Sequence, residues 1–244
     1  MLVSIITVAY NSEQTIARTM ESVLNQTYPE IEYIVIDGAS TDNTISVAES
    51  FIPKFEARDG YSLHIISESD KGMYDALNKG AQVATGELVG QINADDFYEL
   101  DGVEKMANFY KKEHYDAAWG NLNIIKASGN MTKRAKIGKL WTTTGWCHPA
   151  MFSKREILLA FPYPLETMYD DFDYITNVYR AGKKVMTLDE TITNFTFGGM
   201  STQKSFKEAM RRVNITYGIY RKYGMSRLYW CHRFAFEMAK LILS

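Results

Sequence analysis

The sequence predicts an α/β protein with a mostly parallel central sheet, helices on its flanks and a helical C-terminal extension. Three observations carry this expectation. Strand and helix signals alternate through the first hundred residues. The strand segments are β-branched and apolar without in-out alternation, the pattern of strands buried on both faces. From Ser205 the chain reads as helix to its end. A strand–helix–strand rhythm implies right-handed crossovers that put helices on both faces of the sheet.

The elements follow in order. Leu2 to Val8 is the first strand. Asn11 or Ser12 caps a helix whose apolar Ile16, Met20, Val23 and Leu24 share one side. Tyr28-Pro29 ends that helix. Ile31 to Ile36 is the second strand, followed by the turn Asp37-Gly38-Ala39-Ser40-Thr41-Asp42 and a helix toward Phe55. Leu63 to Ile66 is the third strand, and Ser67 to Lys71 leads into a helix through Ala84. Leu88 to Ile92 is the fourth, after which Asp101 and Glu104 form a capping box for the next helix. Beyond Tyr115 the pattern loosens. Short strands are expected at Ala117–Trp119 and Asn121–Lys126, then a polar, basic stretch from Ser128 to Lys139. Helices follow from Ser153 or Lys154 and near Asp173–Ala181.

Composition narrows the function classes. Of 244 residues, 46% are hydrophobic and 23% charged, ordinary for a folded soluble protein. The net charge of −2 hides an asymmetry: from Gln203 onward nine Lys/Arg face two Glu, leaving 18 bases and 27 acids before it. An acidic body argues against nucleic-acid binding, which needs a broad positive surface. Cys147 and Cys231 each follow a tryptophan and form neither a metal-ligand spacing nor a disulfide framework, which points to a reducing compartment. Met1 runs straight into a strand without a signal peptide, and no stretch approaches a membrane span. A cytoplasmic location is expected. The basic tail interleaves Arg211, Arg212, Arg221, Lys222, Arg227 and Arg233 with aromatic residues. Two readings of it stay open: a peripheral contact with the inner face of a membrane, or helices packed on the body with a solvated basic face.

In parallel α/β sheets, ligands bind at the carboxyl ends of strands. Four polar clusters fall at such ends: Tyr10-Asn11, Asp37-Gly38, Ser69-Asp70-Lys71 and Asn93-Ala94-Asp95-Asp96. Ionised carboxylates at the end of a buried strand are costly unless paired, hydrogen-bonded or bound to metal. Mg²⁺ and Mn²⁺ favour oxygen ligands and are often held by one or two carboxylates beside substrate phosphates.

These clusters, with Ser4 to Asn11, Asp70 to Gly80, His148-Pro149-Ala150-Met151-Phe152, Asp170-Asp171-Phe172-Asp173 and Gly198-Gly199-Met200-Ser201, closely resemble glycosyltransferase family 2. The resemblance implies a GT-A-type, Rossmann-like fold and transfer of a sugar from a nucleotide-diphosphate donor to an acceptor hydroxyl with inversion. It also implies residue roles. Val8 and Tyr10 cradle the base, Tyr10 by stacking or else as a core aromatic. Asp37 accepts the base N–H, which suits uridine first and allows thymidine. Asp70 contacts the nucleotide, while Asp42 reads as a turn or cap residue. Where the family usually has Asp-x-Asp, this chain has Asn93-Ala94-Asp95. Asn93 is then a ribose contact, Asp95 the main ligand of a Mn²⁺ or Mg²⁺ cofactor, and Asp96 a second ligand or a supporting group. Asp171 is the candidate general base, with Asp170 open by one residue of register and Asp173 at the helix start. His148 lies on the acceptor side or packs in the core; the same two readings hold for Trp141 and Trp146 against a sugar face.

The expected organisation is a catalytic domain over residues 1–202, with nucleotide-binding (1–100) and acceptor-binding (101–202) halves, followed by the extension 203–244. The partners implied are a nucleotide-sugar donor and a saccharide or lipid-linked saccharide acceptor. Two alternatives stay open: a non-catalytic nucleotide-sugar-binding protein, suggested by Asn93, and a sugar-nucleotide pyrophosphorylase, against which stands the lack of an N-terminal Gly-rich phosphate loop.

Overall fold

The computed structural model describes residues 1–126, 129–139, 141–196 and 205–243. Among them a nine-stranded sheet runs in the order β3-β2-β1-β4-β8-β6-β9-β5, with β7 on β6. Its parallel part is β1 (Val3–Ala9), β2 (Ile31–Asp37), β3 (Tyr61–Ser67) and β4 (Leu88–Asn93). All residues of β1 and β2 are buried, as their unbroken apolar runs require, whereas β3 alternates because it is the edge. Helices α1 (Ile16–Leu24), α2 (Thr44–Glu49), α3 (Ile52–Glu56) and α4 (Met73–Val83) make the crossovers. Gly80 lets α4 lie close to β1: a Cβ there would stand 2.6 Å from Ile6 Cγ2.

The second half is mixed. After β5 (Phe97–Tyr98) and α5 (Gly102–Glu113) come β6 (Ala117–Ile125), β7 (Met131–Lys133), β8 (Met151–Lys154), α6 (Arg155–Ala160), α7 (Asp170–Arg180) and β9 (Val185–Thr196). β8 is antiparallel to both β4 and β6, so β6 and its parallel partner β9 run the same way as β4. Consequently the start of β8 and the end of β9 reach the rim where β1 to β4 end. Helices α8 (Phe206–Lys222) and α9 (Tyr229–Leu243) close the chain, broken near Gly224 at φ +70°. None of the described helices is long and apolar enough to cross a membrane.

Several local expectations need correction. Neither Asn11 nor Ser12 caps α1 by its side chain; Thr15 stands at the cap, and Asn11 Oδ1 instead accepts from the Thr41 N–H at 2.9 Å. The Asp101–Glu104 capping box does not form, because Asp101 pairs with Lys105 at 2.8 Å and Glu104 accepts from Thr27. The two short strands after Tyr115 are one strand, β6, whose register shifts near Gly120. Ser153 belongs to β8 rather than to a helix.

Candidate functional site

Strand register brings the four predicted loops side by side. Ala9 pairs with Asp37, Val8 with Asn93, and Asp37 with Ser67. The residues that follow each pair therefore share one rim.

On one side of this rim Tyr10 is 64% exposed, a ring left free to stack, while Val8 and Ala94 are buried beneath it. Asp37 is buried and accepts from the Ser40 N–H at 2.9 Å, the Ser67 hydroxyl at 2.7 Å and the Ser40 hydroxyl. These donors fix its carboxylate and leave Oδ1 with a single protein bond. Between Tyr10 and Asp70 lies Gly38; a Cβ there would meet Asp70 Oδ2 at 2.8 Å and Tyr10 Cδ2 at 3.4 Å. Asp70 Oδ1 accepts from the Gly72 N–H at 2.7 Å. Asp42 accepts from Thr44 N–H at 3.0 Å and Glu13 N–H at 3.1 Å, the turn role expected of it.

The turn Asn93–Asp96 closes the next strand end, with the Asp96 N–H donating to Asn93 O at 3.1 Å. Asn93 is half-buried, and its carboxylate neighbours are not equivalent. Asp95 is half-buried, and desolvation raises its pKa against the pull of Arg18. Asp96 is fully buried; its Oδ1 accepts from the Thr196 N–H at 3.0 Å, and its Oδ2 has no partner. Burial, then repulsion from Asp95, pushes its pKa well up. Among the described residues no three His, Cys, Asp or Glu side chains cluster as a complete metal site. Oxygens for a hard cation come from this pair alone, which suffices where phosphate completes the shell.

Helix α1 holds this turn through a polar seam that sequence reading missed. Arg18 Nη2 donates to Asp95 O at 2.7 Å, and the Thr19 hydroxyl to Asp96 O at 2.6 Å. Ser22 Oγ accepts from Tyr98 N–H at 3.1 Å; Gln26 bridges Glu99 O at 2.7 Å and Val103 N–H at 2.9 Å. These positions recur at roughly helical spacing beside the apolar stripe, which is the one signal that pointed to a second used face. Arg18 also lies 4.6 Å over the Phe97 ring and donates to Thr196 Oγ1 at 2.8 Å, so the end of β9 is tied to the same turn.

A second cluster faces the rim from α7. The three acids at its start do different things. Asp170 is buried and accepts from Glu166 N–H at 2.8 Å and from Thr167 N–H and hydroxyl at 2.8 and 2.9 Å, with burial raising its pKa. Asp173 turns toward α8, where Lys222 Nζ stands 3.0 Å away. Asp171 accepts from the Tyr74 hydroxyl at 3.0 Å and from the Trp146 indole N–H at 2.6 Å. His148 sits in the same aromatic group, its ring centroid 6.5 Å from that of Tyr74 and 6.3 Å from that of Trp146. Its Nε2 is 3.5 Å from the Tyr163 hydroxyl, and burial lowers its pKa, which keeps it neutral. Trp141 is buried and stacked on Tyr179 at 4.2 Å, a packing role. The expected motif Gly198–Ser201 lies outside the described residues.

The arrangement therefore offers an open aromatic ring, an oxygen-rich turn and, apart from both, a carboxylate oriented by two donors. The profile of Glycosyl transferase family 2 matches residues 4–176. A PGL/p-HBAD biosynthesis glycosyltransferase from Mycobacterium bovis BCG is 28% identical over 216 residues, 86% of this chain and 83% of that protein. Staphylococcus aureus TarS 1-349, solved with UDP-GlcNAc, superposes with TM-score 0.73 at 19% identity, over 99% of this chain and 72% of that one. The mannosyltransferase PcManGT of Pyrobaculum calidifontis, solved with GDP-Man and Mn²⁺, superposes with TM-score 0.68 at 19% identity, over 99% and 70%. With its α/β architecture matching those structures and its sequence matching that profile, the chain belongs to glycosyltransferase family 2.

Proposed function

We propose that this chain transfers a hexosyl or N-acetylhexosaminyl group, with inversion, from a nucleotide-diphosphate sugar to a hydroxyl of a saccharide or lipid-linked saccharide. A UDP-sugar is the first donor to test. What carries the reading is Asp171: of the three acids opening α7 it alone turns its carboxylate to Tyr74 and Trp146, apart from the Asn93–Asp96 turn. A base on one side and a diphosphate-binding turn on the other is the arrangement a single displacement needs.

On the donor side, Tyr10 stacks on the base above Val8 and Ala94, Asp37 accepts the imide N–H, and Asp70 adds a polar contact. Asn93 bonds the ribose. Asp95 and Asp96 suit Mn²⁺ or Mg²⁺: the donors are hard oxygens, and Asp96 keeps one buried oxygen without a protein partner. The exposed member, Asp95, is the main ligand. When bound, such a cation supplies Lewis-acid stabilisation of the departing diphosphate. Arg18 and Thr19 keep the turn in place for it. On the acceptor side, Asp171 takes the proton of the attacking hydroxyl, an effect commonly worth about 10²–10⁴-fold. Tyr74 and Trp146 leave it one lone pair on each oxygen for that task. Neutral His148 offers the acceptor a single hydrogen bond.

The UDP-GlcNAc complex of TarS and the GDP-Man and Mn²⁺ complex of PcManGT support a nucleotide-sugar donor with a divalent cation. Thermal shift with a panel of UDP-, dTDP- and GDP-sugars, in Mn²⁺ and in EDTA, tests the donor side. Stabilisation by UDP-sugars with Mn²⁺ is expected; no stabilisation by any nucleotide in either condition would sink it. Asn93 favours a second reading, binding without transfer, which predicts that stabilisation with no nucleoside diphosphate released. The location proposed is cytoplasmic, with exposed Arg211, Arg221 and Arg227 able to meet an anionic membrane. Co-sedimentation with phosphatidylserine vesicles checks that contact, and its absence at low salt removes it.

A further inference from the structure

We propose that α8 and α9 belong to the catalytic machinery, with Arg233 a positioning residue that holds Asp171 in register; this rests on reading Asp171 as the base. Asp171 takes its orientation from two places, the start of α7 and the Thr143–Trp146 segment that supplies the Trp146 indole. The C-terminal helices grip both. Arg233, 3% exposed, donates to Thr143 Oγ1, three residues before Trp146, and lies 5.7 Å over the ring of Tyr169, two residues before Asp171. Its Nη2 stands 3.4 Å from the Tyr169 hydroxyl. One planar guanidinium thus spans the two segments whose spacing sets the 2.6 Å Trp146–Asp171 bond.

Arg233 is itself fixed. Glu237, fully buried one turn later on α9, pairs with Arg233 at 2.7 Å and with Arg212 of α8 at 2.8 Å. A buried carboxylate between two guanidiniums has few alternative arrangements, so it locks the helices to each other and sets where the Arg233 fork points. A second tie runs from α8 to α7: Asp173 accepts from Lys222 at 3.0 Å and from the Tyr223 hydroxyl. Between the ties, Tyr220 packs edge-on against Phe172 at 5.7 Å and against Tyr229 at 4.4 Å, and the Tyr229 hydroxyl accepts from the Trp141 N–H at 3.3 Å. The donor-side turn takes its supports from α1 and β9. The C-terminal pair therefore acts on the base and leaves the nucleotide half alone. Misplacement of a reacting group by about 1 Å costs on the order of 10²-fold in rate.

The test reads the Trp146 indole N–H by proton–nitrogen NMR of the full chain with labelled tryptophan, the signal assigned by its loss in Trp146→Phe. Asp171→Asn gives the reference position for a weakened bond. Two variants cut the ties without stranding Glu237: Thr143→Val with Tyr169→Phe, and Asp173→Asn. Each is expected to move the Trp146 signal toward its Asp171→Asn position, while the Trp141 indole, bound to Thr176 at 2.8 Å, stays put. A Trp146 signal that stays at its wild-type position in both variants overturns the inference. Because two separate contacts are cut, misfolding of one variant leaves the other to decide. Sugar transfer retained by Asp171→Asn would instead remove the base assignment and leave the NMR result standing.

Discussion

Thr19→Val is the sharpest probe of the seam that joins α1 to the carboxylate turn. Both residues of the contact are fully buried, and the Thr19 hydroxyl meets Asp96 O at 2.6 Å. Valine keeps the volume and removes only the donor, so no cavity term enters. A buried carbonyl left without its partner costs about 1–3 kcal/mol. For a chain of this size each kcal/mol lowers Tm by roughly 2–4 °C, so a fall of roughly 2–12 °C is expected. The loss falls on the segment that carries Asp95 and Asp96, so Mn²⁺ binding should weaken beyond any general loss of stability. Differential scanning calorimetry in EDTA gives the first number and a Mn²⁺ titration of the melting temperature gives the second. Ser22→Ala, further along the same seam, removes the acceptor for Tyr98 N–H and serves as a comparison away from the carboxylates. A Thr19→Val protein that melts with wild type and binds Mn²⁺ equally well would show that α1 does not hold the turn.

The two carboxylates and the sheet floor give further outcomes. Asp95→Asn should abolish Mn²⁺-dependent stabilisation by UDP with little change in metal-free Tm, as read by thermal shift; an unchanged Mn²⁺ response would move the metal elsewhere. Asp96→Asn should raise Tm in EDTA, because a carboxylate whose pKa rises on folding destabilises the native state above its unfolded pKa. A lower Tm would mean the buried charge is supported in a way this geometry lacks. Glu32, buried at the other end of the sheet, accepts from Thr85 N–H and hydroxyl at 2.8 Å each and from Ser4. Although burial opposes it, these bonds hold its pKa below the ordinary value. Its stabilisation is therefore present above the unfolded pKa of about 4.3 and lost as pH falls through the lower folded value. Glu32→Gln should cost about 1–3 kcal/mol at pH 7 and flatten the acid limb of stability, measured by urea melts across pH; parallel curves for variant and wild type would refute this.

The parallel half was legible because burial on both faces writes an unbroken apolar run, as in Ile31–Asp37. The rim was legible because parallel strands force their following loops together. β9 escaped notice: its Leu-Asp-Glu-Thr-Ile-Thr-Asn stretch is half-exposed and mixed, so neither period nor run marks it as a strand. The capping box failed for a tertiary reason, since Thr27 and Lys105 outcompete the local pair. The partners of the site were the least visible part. Tyr74 and Trp146 meet Asp171 across 97 and 25 residues of chain, and Arg18 reaches Thr196 across 178. No local pattern encodes such contacts. The choice between Asp170 and Asp171 likewise needed geometry, because only the fold reveals that Asp170 spends both oxygens on the turn before α7.

Asp171→Asn tests the central claim most directly. It keeps a side chain of the same shape beside Tyr74 and Trp146 and removes the proton acceptor. Nucleoside-diphosphate release from a UDP-sugar with a saccharide acceptor should fall on the order of 10²–10⁴-fold in kcat, while stabilisation by UDP with Mn²⁺ stays at the wild-type level. Transfer at the wild-type rate by Asp171→Asn would contradict the account.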